Sequence, residues 1–177
     1  MREGYAVLGP AFLEYFDRLS PSDYTLLTHV EAHGLLAGTT ANDIVEALVR
    51  ARLRLADEYL AFAVSLDPRN PAHRRQIISR GYYAIHHSAR AVLLYHDHQE
   101  YAIHSGRGSV IEHFGRLFPD PDGRRQRDML RDWHDLRLHA DYNPSLAGDL
   151  LAEAQLAHLE APAFLAEMRL RLAPHLR

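Results

Sequence analysis

The chain of 177 residues contains no cysteine and no lysine, and no long stretch of it is uninterruptedly apolar. The lack of cysteine excludes disulfides, thiol catalysis and zinc sites built on cysteine. No apolar run approaches the roughly 18 residues that a transmembrane helix needs. The first ten residues also lack the basic and then apolar segments of a signal peptide. We therefore expect a protein without membrane spans, located in the cytoplasm.

Because lysine is absent, all 20 basic side chains are arginines, against 23 acidic ones, and the formal net charge is −3. This balance gives no bulk attraction to nucleic acid. Every cation is nevertheless a planar guanidinium that can bind a carboxylate or a phosphate through two parallel hydrogen bonds. The chain also has 13 histidines.

No segment of useful length shows the alternation of a β-strand, whereas helical periodicity recurs along the chain, so we predict an all-α protein. The predicted helices cover residues 8–19, 20–36, 43–66, 72–98, a short segment ending near 118, 124–140 and 146–172. Pro162 is expected to kink or divide the last helix. Residues 1–40 are predicted to form a helical appendage, and residues 41–177 an antiparallel bundle with short connections.

Three of these helices carry a stripe at helical spacing that predicts a face toward the core. The predicted stripes are Ile44, Leu48, Ala51, Leu55, Tyr59 and Phe62; then Ile78, Tyr82, Ile85, Ala89 and Val92; and then Met129, Trp133, Leu136 and Ala140. The middle helix has a second, polar stripe of Tyr83, His86, His87 and Arg90. Either this polar stripe belongs to a site, or its tyrosine packs and its histidines are simply exposed.

Clusters of residues in the second half of the chain occur in the order typical of a known family. They are S-R-G-Y-Y-A-I-H-H-S-A-R, then I-H-S-G, then L-F-P and finally D-L-R-L-H-A-D-Y. Over residues 43–172 the chain resembles the HEPN domain family, in its small stand-alone prokaryotic branch. The resemblance rests on Ser79, Tyr82, Tyr83, Ala84, His104, Gly106, Arg137, Asp141 and Tyr142.

The resemblance implies a bundle of four or five helices that forms a homodimer. Many family members are toxins paired with a small nucleotidyltransferase antitoxin, or parts of other defence systems. Active members are ribonucleases that need no metal or other cofactor. Their motif is an arginine, a polar residue and a histidine four to six residues after the arginine, brought together across the dimer cleft.

This sequence departs from that motif. Arg137 stands at the expected place, but His139 follows it too closely. The pairs Arg127 with His134 and Arg90 with His96 fit the spacing formally. Two functions therefore stay open: a protein that acts on or binds RNA, including as a metal-independent endoribonuclease, and a non-catalytic module that docks on a nucleotidyltransferase or another defence partner.

The candidate site follows from the resemblance and from side-chain chemistry. We predict that one cleft collects six side chains, namely Tyr83, His86, His104, Arg137, His139 and Asp141. Arg137, His139 and Asp141 are the candidate catalytic residues, with Arg137 binding phosphate and His139 acting as general acid and base. Tyr83, His86 and His104 are candidate RNA contacts. Arg127 and Arg131, with Arg124 and Arg125, form a basic surface that is a further candidate for RNA phosphates.

A structural interpretation competes with this site. Arg137 and Asp141 are spaced for an ion pair within one helix, and a seam made of Arg137, Asp141, Tyr142, Ser79 and Tyr83 would fix the helix register. A histidine-rich metal protein is a weaker alternative, because the Glu-x-x-His pairs of di-metal bundles are missing. His29 and His33 have the spacing of a metal pair but no evident third ligand, so no metal is expected.

Overall fold

The computed structural model describes residues 21–36, 38–98, 109–142 and 150–176, and these residues form an all-α bundle, as predicted. The helices of the described part are α1 Pro21–Ala32, α2 Ala41–Ser65, α3 Pro71–Asp97, α4 Val110–Leu117, α5 Pro121–Tyr142 and α6 Leu151–Leu172. Within these ranges no helix is both long enough and apolar enough to cross a membrane.

Contacts between the four long helices fix their directions. Tyr59 of α2 stacks on Tyr83 of α3, while Arg80, earlier on α3, reaches Phe62, later on α2, so these helices are antiparallel. Helix α5 is antiparallel to α3, because Arg75 binds the Ala140 carbonyl and Arg137 binds Tyr83. Helix α6 is antiparallel to both α2 and α5 and runs parallel to α3.

Helix α3 is the centre of the bundle and packs against α2, α4, α5 and α6. All five residues of its predicted apolar stripe are buried, which confirms that stripe. Gly81 faces α6 so closely that a Cβ placed there would lie 3.3 Å from Ala157 Cβ. Since the helix is enclosed on several sides, His86 and His87 are buried as well, and the alternative in which they are simply exposed is wrong.

The core-facing side of α2 differs from the predicted one. Ile44 and Leu48 are buried as expected, but further along the helix Phe62 is 48% exposed while Ala56 and Ala63 are fully covered. At 3.6 residues per turn, the covered face is rotated by roughly a quarter turn from the predicted stripe. The small alanines allow α2 to approach its neighbours closely, and the aromatic face is left at the surface.

Helix α5 begins earlier than predicted, inside the sequence Pro-Asp-Gly that indicated a turn. Gly123 N–H donates to Asp120 Oδ1 at 2.9 Å, and Pro121 occupies the first helical position, which suits its missing N–H. Trp133 and Ala140 are buried, as the stripe of this helix predicted. Pro162 lies inside the continuous helix α6, so the expected division of that helix is wrong.

Helix α1 ends at Ala32, earlier than predicted, and packs on the bundle. Leu27 is buried in the common core, Tyr24 Oη donates to Asn42 Oδ1 at 2.8 Å, and the Tyr24 ring stacks on His98. This part of the predicted appendage is therefore attached to the bundle by both apolar and polar contacts. The predicted helix 8–19 lies outside the described residues.

Candidate functional site

A cluster of polar side chains joins the carboxyl-terminal end of α5 to the middle of α3. Its members, called the Arg137 cluster below, are Ser79, Tyr83, Arg137, Asp141 and Tyr142. Arg137 Nη2 donates to Tyr83 Oη at 2.8 Å, and Arg137 Nε lies 2.8 Å from Asp141 Oδ2 in an ion pair. Ser79 Oγ donates to the same Asp141 oxygen at 3.4 Å. The five residues predicted to form a polar seam are thus brought together.

Aromatic rings surround the guanidinium of Arg137. Its central carbon lies 5.4 Å from the Tyr83 ring centre and 5.3 Å from the Tyr142 ring centre. The Tyr82 ring centre is 5.9 Å away, on the interior side. At these distances the negative ring faces attract the cation. Tyr142 itself is 69% exposed, so the cluster opens to solvent on that side.

The environment of Arg137 keeps its charge. Partial burial lowers the pKa of the guanidinium, but the neighbouring Tyr83, Asp141 and Tyr142 outweigh burial, so the net pKa is raised. Only 13% of the Arg137 side chain and 23% of the Asp141 side chain are exposed. Among the described residues, the hydrogen bonds of this guanidinium are made by Nη2, which donates to Tyr83 and Tyr142.

The predicted histidines are not part of the Arg137 cluster. His86 is buried behind Tyr82, with Nδ1 3.4 Å from Tyr82 Oη, and burial holds its pKa well below the ordinary value, so it is neutral. His139 is exposed and only two positions from Arg137, which places it about 200° around the helix, on another face. His104 lies outside the described residues.

The candidate basic surface on α5 is largely paired with acidic side chains. Arg127 Nη2 and Arg131 Nη1 lie 2.7 Å and 3.2 Å from the same oxygen of Asp128. Arg125 pairs with Glu167 of α6 at 2.8 Å. Arg131 is six residues from Arg137, about 9 Å along the helix axis. These arginines form a mixed-charge surface that is separate from the Arg137 cluster.

The sequence analysis missed the side chains that extend the cluster toward α2. Tyr59 stacks on Tyr83 with ring centres 5.2 Å apart, and the Arg80 guanidinium carbon lies 5.5 Å from the Tyr59 ring centre. Tyr59 had been placed in the core stripe of its helix. Arg80 lies one helical turn before Tyr83, a spacing that could have indicated a shared face.

The cluster supplies one fixed cation, hydroxyl groups and a carboxylate, but no imidazole from the described part of the chain. The described residues also contain no group of three or more histidine, aspartate or glutamate side chains arranged to hold a metal ion. Comparisons with protein-family models, with curated proteins and with solved structures find no match for this chain.

Proposed function

We propose that the protein is a HEPN-like bundle of the toxin–antitoxin or defence type, and that it binds RNA with Arg137 as a phosphate ligand. The observation that carries this proposal is the fixed position of the Arg137 guanidinium. This guanidinium is held between Tyr83 and Asp141 and lies beside the exposed ring of Tyr142. A fixed guanidinium donates two parallel hydrogen bonds to phosphate oxygens with little loss of side-chain freedom.

The positions of the histidines in a single chain favour RNA binding over RNA cleavage. A general acid or base must lie within hydrogen-bonding reach of the proton that it transfers. His139 is exposed on another face of α5, and His86 is buried and neutral. Endoribonuclease activity would therefore need an imidazole from elsewhere, such as a second copy of the chain or His104.

Fluorescence anisotropy with labelled single-stranded RNA tests the proposal. Arg137→Gln should weaken binding about tenfold or more and reduce the salt dependence by about one phosphate contact. Arg169→Gln is the matched control, since it removes the same charge from an exposed ion pair with Asp57 and should change the affinity less than twofold. If Arg137→Gln lowers only the melting temperature, the cluster serves the helix register and the proposal is wrong.

The same RNA, incubated with the protein and separated on a denaturing gel, tests cleavage. We expect intact RNA. Metal-independent products that disappear in Arg137→Ala, and also in either His139→Ala or His104→Ala, would instead establish the endoribonuclease.

A second candidate function is that of a non-catalytic docking module, and a surface stripe on α6 favours it. The apolar side chains on this face are Leu156, Leu159, Ala163, Ala166 and Leu170, of which Leu159 is 70% and Leu170 is 73% exposed. Apolar side chains aligned on one face of a surface helix suit a protein partner. If a small nucleotidyltransferase is encoded beside the gene, titration calorimetry against it tests this candidate, with Leu159→Glu expected to abolish the heat of binding.

A further inference from the structure

A groove next to the Arg137 cluster is formed by the aromatic face of α2 that the core does not use. It has a volume of about 320 Å³ and is lined by Leu55, Glu58, Tyr59, Phe62 and Arg80. This volume lies within the range of small-molecule sites. Phe62 is 48% exposed in this groove, beside the charged side chains of Glu58 and Arg80, so the groove is a candidate binding site.

Two arginines and three aromatic rings form a series of contacts from this groove to the Arg137 cluster. The Arg80 guanidinium carbon lies 5.6 Å from the Phe62 ring centre and 5.5 Å from the Tyr59 ring centre. The Tyr59 ring stacks on Tyr83 at 5.2 Å, and Arg137 lies 5.4 Å from the Tyr83 ring centre. The groove and the phosphate ligand are therefore linked by an unbroken series of side-chain contacts across three helices.

This series of aromatic rings and guanidinium groups suits the bases and phosphates of single-stranded nucleic acid. Aromatic rings and guanidinium planes offer flat surfaces on which bases stack, while arginine charges hold the phosphates between the bases. A duplex hides its base faces, so a surface of this kind selects unpaired strands.

We infer that the groove is a nucleobase subsite for single-stranded RNA, and that it prefers guanine to uracil. This inference rests on the proposed function, since it places the base next to a phosphate bound at Arg137. The base would stack against Phe62, which is 48% exposed, and against the plane of Arg80.

Glu58 supplies the preference. Its exposed side chain lines the groove, so its carboxylate can accept hydrogen bonds from the edge of a stacked base. The pairing edge of guanine carries adjacent N–H and NH₂ donors that match the two carboxylate oxygens. The same edge of uracil has one N–H between two carbonyl oxygens, which the carboxylate repels.

Anisotropy with two labelled octamers, one all uridine and one with a single central guanosine, tests the inference. Wild type should bind the guanosine-containing octamer about fivefold more tightly. Phe62→Ala should weaken binding of this octamer about fivefold or more through lost stacking. Val64→Ala, at a 53% exposed position of the same helix, is the matched control and should bind as wild type does. Glu58→Gln should remove the guanosine preference, while Glu46→Gln, on the same helix, should keep it.

The outcomes separate the two proposals. If Arg137→Gln weakens binding but Phe62→Ala does not, the nucleobase subsite is wrong and the phosphate ligand stands. If wild type shows no preference for guanosine, or Glu58→Gln keeps it, the role of Glu58 is wrong. If wild type binds neither octamer, the proposed function itself fails.

Discussion

Arg137 on α5 and Tyr83 on α3 are joined by a hydrogen bond of 2.8 Å between Nη2 and the phenol oxygen. This bond links residues 54 positions apart in the chain and fixes the register of two antiparallel helices at the candidate site. It also orients the guanidinium, because Tyr83 is itself held by stacking on Tyr59. If Arg137 binds RNA phosphate as proposed, stability and RNA binding depend on the same side chain.

Tyr83→Phe should reduce the free energy of unfolding by about 1–2 kcal/mol. The substitution keeps the ring but removes the hydroxyl that accepts a hydrogen bond from the largely buried Arg137 guanidinium. Tyr142→Phe is the control, because its contact with Arg137 is 3.5 Å long and exposed, and its loss should cost less than about 0.5 kcal/mol. Urea denaturation followed by circular dichroism measures both. Equal losses in the two variants would contradict a special role for the Tyr83 bond.

Acid should destabilise the protein through His87. Burial, reinforced by Arg90 and Arg52, lowers the pKa of His87 from 6.5 to about 3. Between these values the unfolded chain binds a proton that the native chain does not, so stability falls as the pH drops through this window. The loss is about 1.4 kcal/mol per pH unit below 6.5, or on the order of 2 kcal/mol at pH 5.

His87→Phe tests this pH dependence, since it keeps a flat ring against Tyr59 and cannot be protonated. The free energy of unfolding is measured in urea at pH 7.5 and at pH 5. Its loss between the two pH values should be smaller in the variant than in wild type, by on the order of 2 kcal/mol. Burial also lowers the pKa of His86, so His86 should keep part of the acid sensitivity in the variant. The same loss in both proteins would show that His87 is accessible to protons in the native state.

Gly123→Ala should destabilise the start of α5. A Cβ at this position would collide with the carbonyl oxygen of Phe118, which is backbone and cannot rotate away. The steric cost, about 1–3 kcal/mol, should exceed the helix propensity of about 1 kcal/mol that alanine gains over glycine. Gly115→Ala is the control, because a Cβ there meets only the flexible side chain of Arg127. Thermal melts should show a lower midpoint for the first variant only.

The sequence predicted the helices well where one periodic stripe dominates, as in α3. It was wrong about the core face of α2, because that helix has large apolar residues on one side and small alanines on the next. The alanines became the core face since they allow closer packing, a choice that depends on the neighbouring helices. The burial of His86 and His87 could not be predicted either, because the spacing of residues along one helix does not tell how many helices surround it.

The candidate site was predicted in part. The pairing of Arg137 with Asp141 follows from their spacing on one helix, and Tyr83 was named as a member of the same predicted seam. Spacing alone could also have separated His139 from Arg137, since two positions correspond to about 200° of rotation. The contacts with Tyr59 and Arg80 could not be predicted, because they depend on the register between α2 and α3.

The apolar stripe on α6 leads to the last prediction, which concerns the expected homodimer and competes with the docking candidate for the same face. A two-fold axis across this face would pair Leu156, Leu159 and Leu170 of one chain with the same residues of a second copy. Burying a leucine fully is worth about 1.5–3 kcal/mol. The double variant Leu159→Glu with Leu170→Glu places four carboxylates in the interface and should weaken dimerisation more than a hundredfold.

Light scattering at micromolar concentration measures the result. Wild type should have the mass of two chains, the double variant the mass of one, and circular dichroism should show the same helical content for both. Leu35→Glu, at a 72% exposed position outside the stripe, is the control and should remain a dimer. A monomeric wild type would contradict the homodimer and leave the stripe free for a protein partner. A dimeric double variant would instead place the self-interface on another face, because four buried carboxylates could not be accommodated at this one.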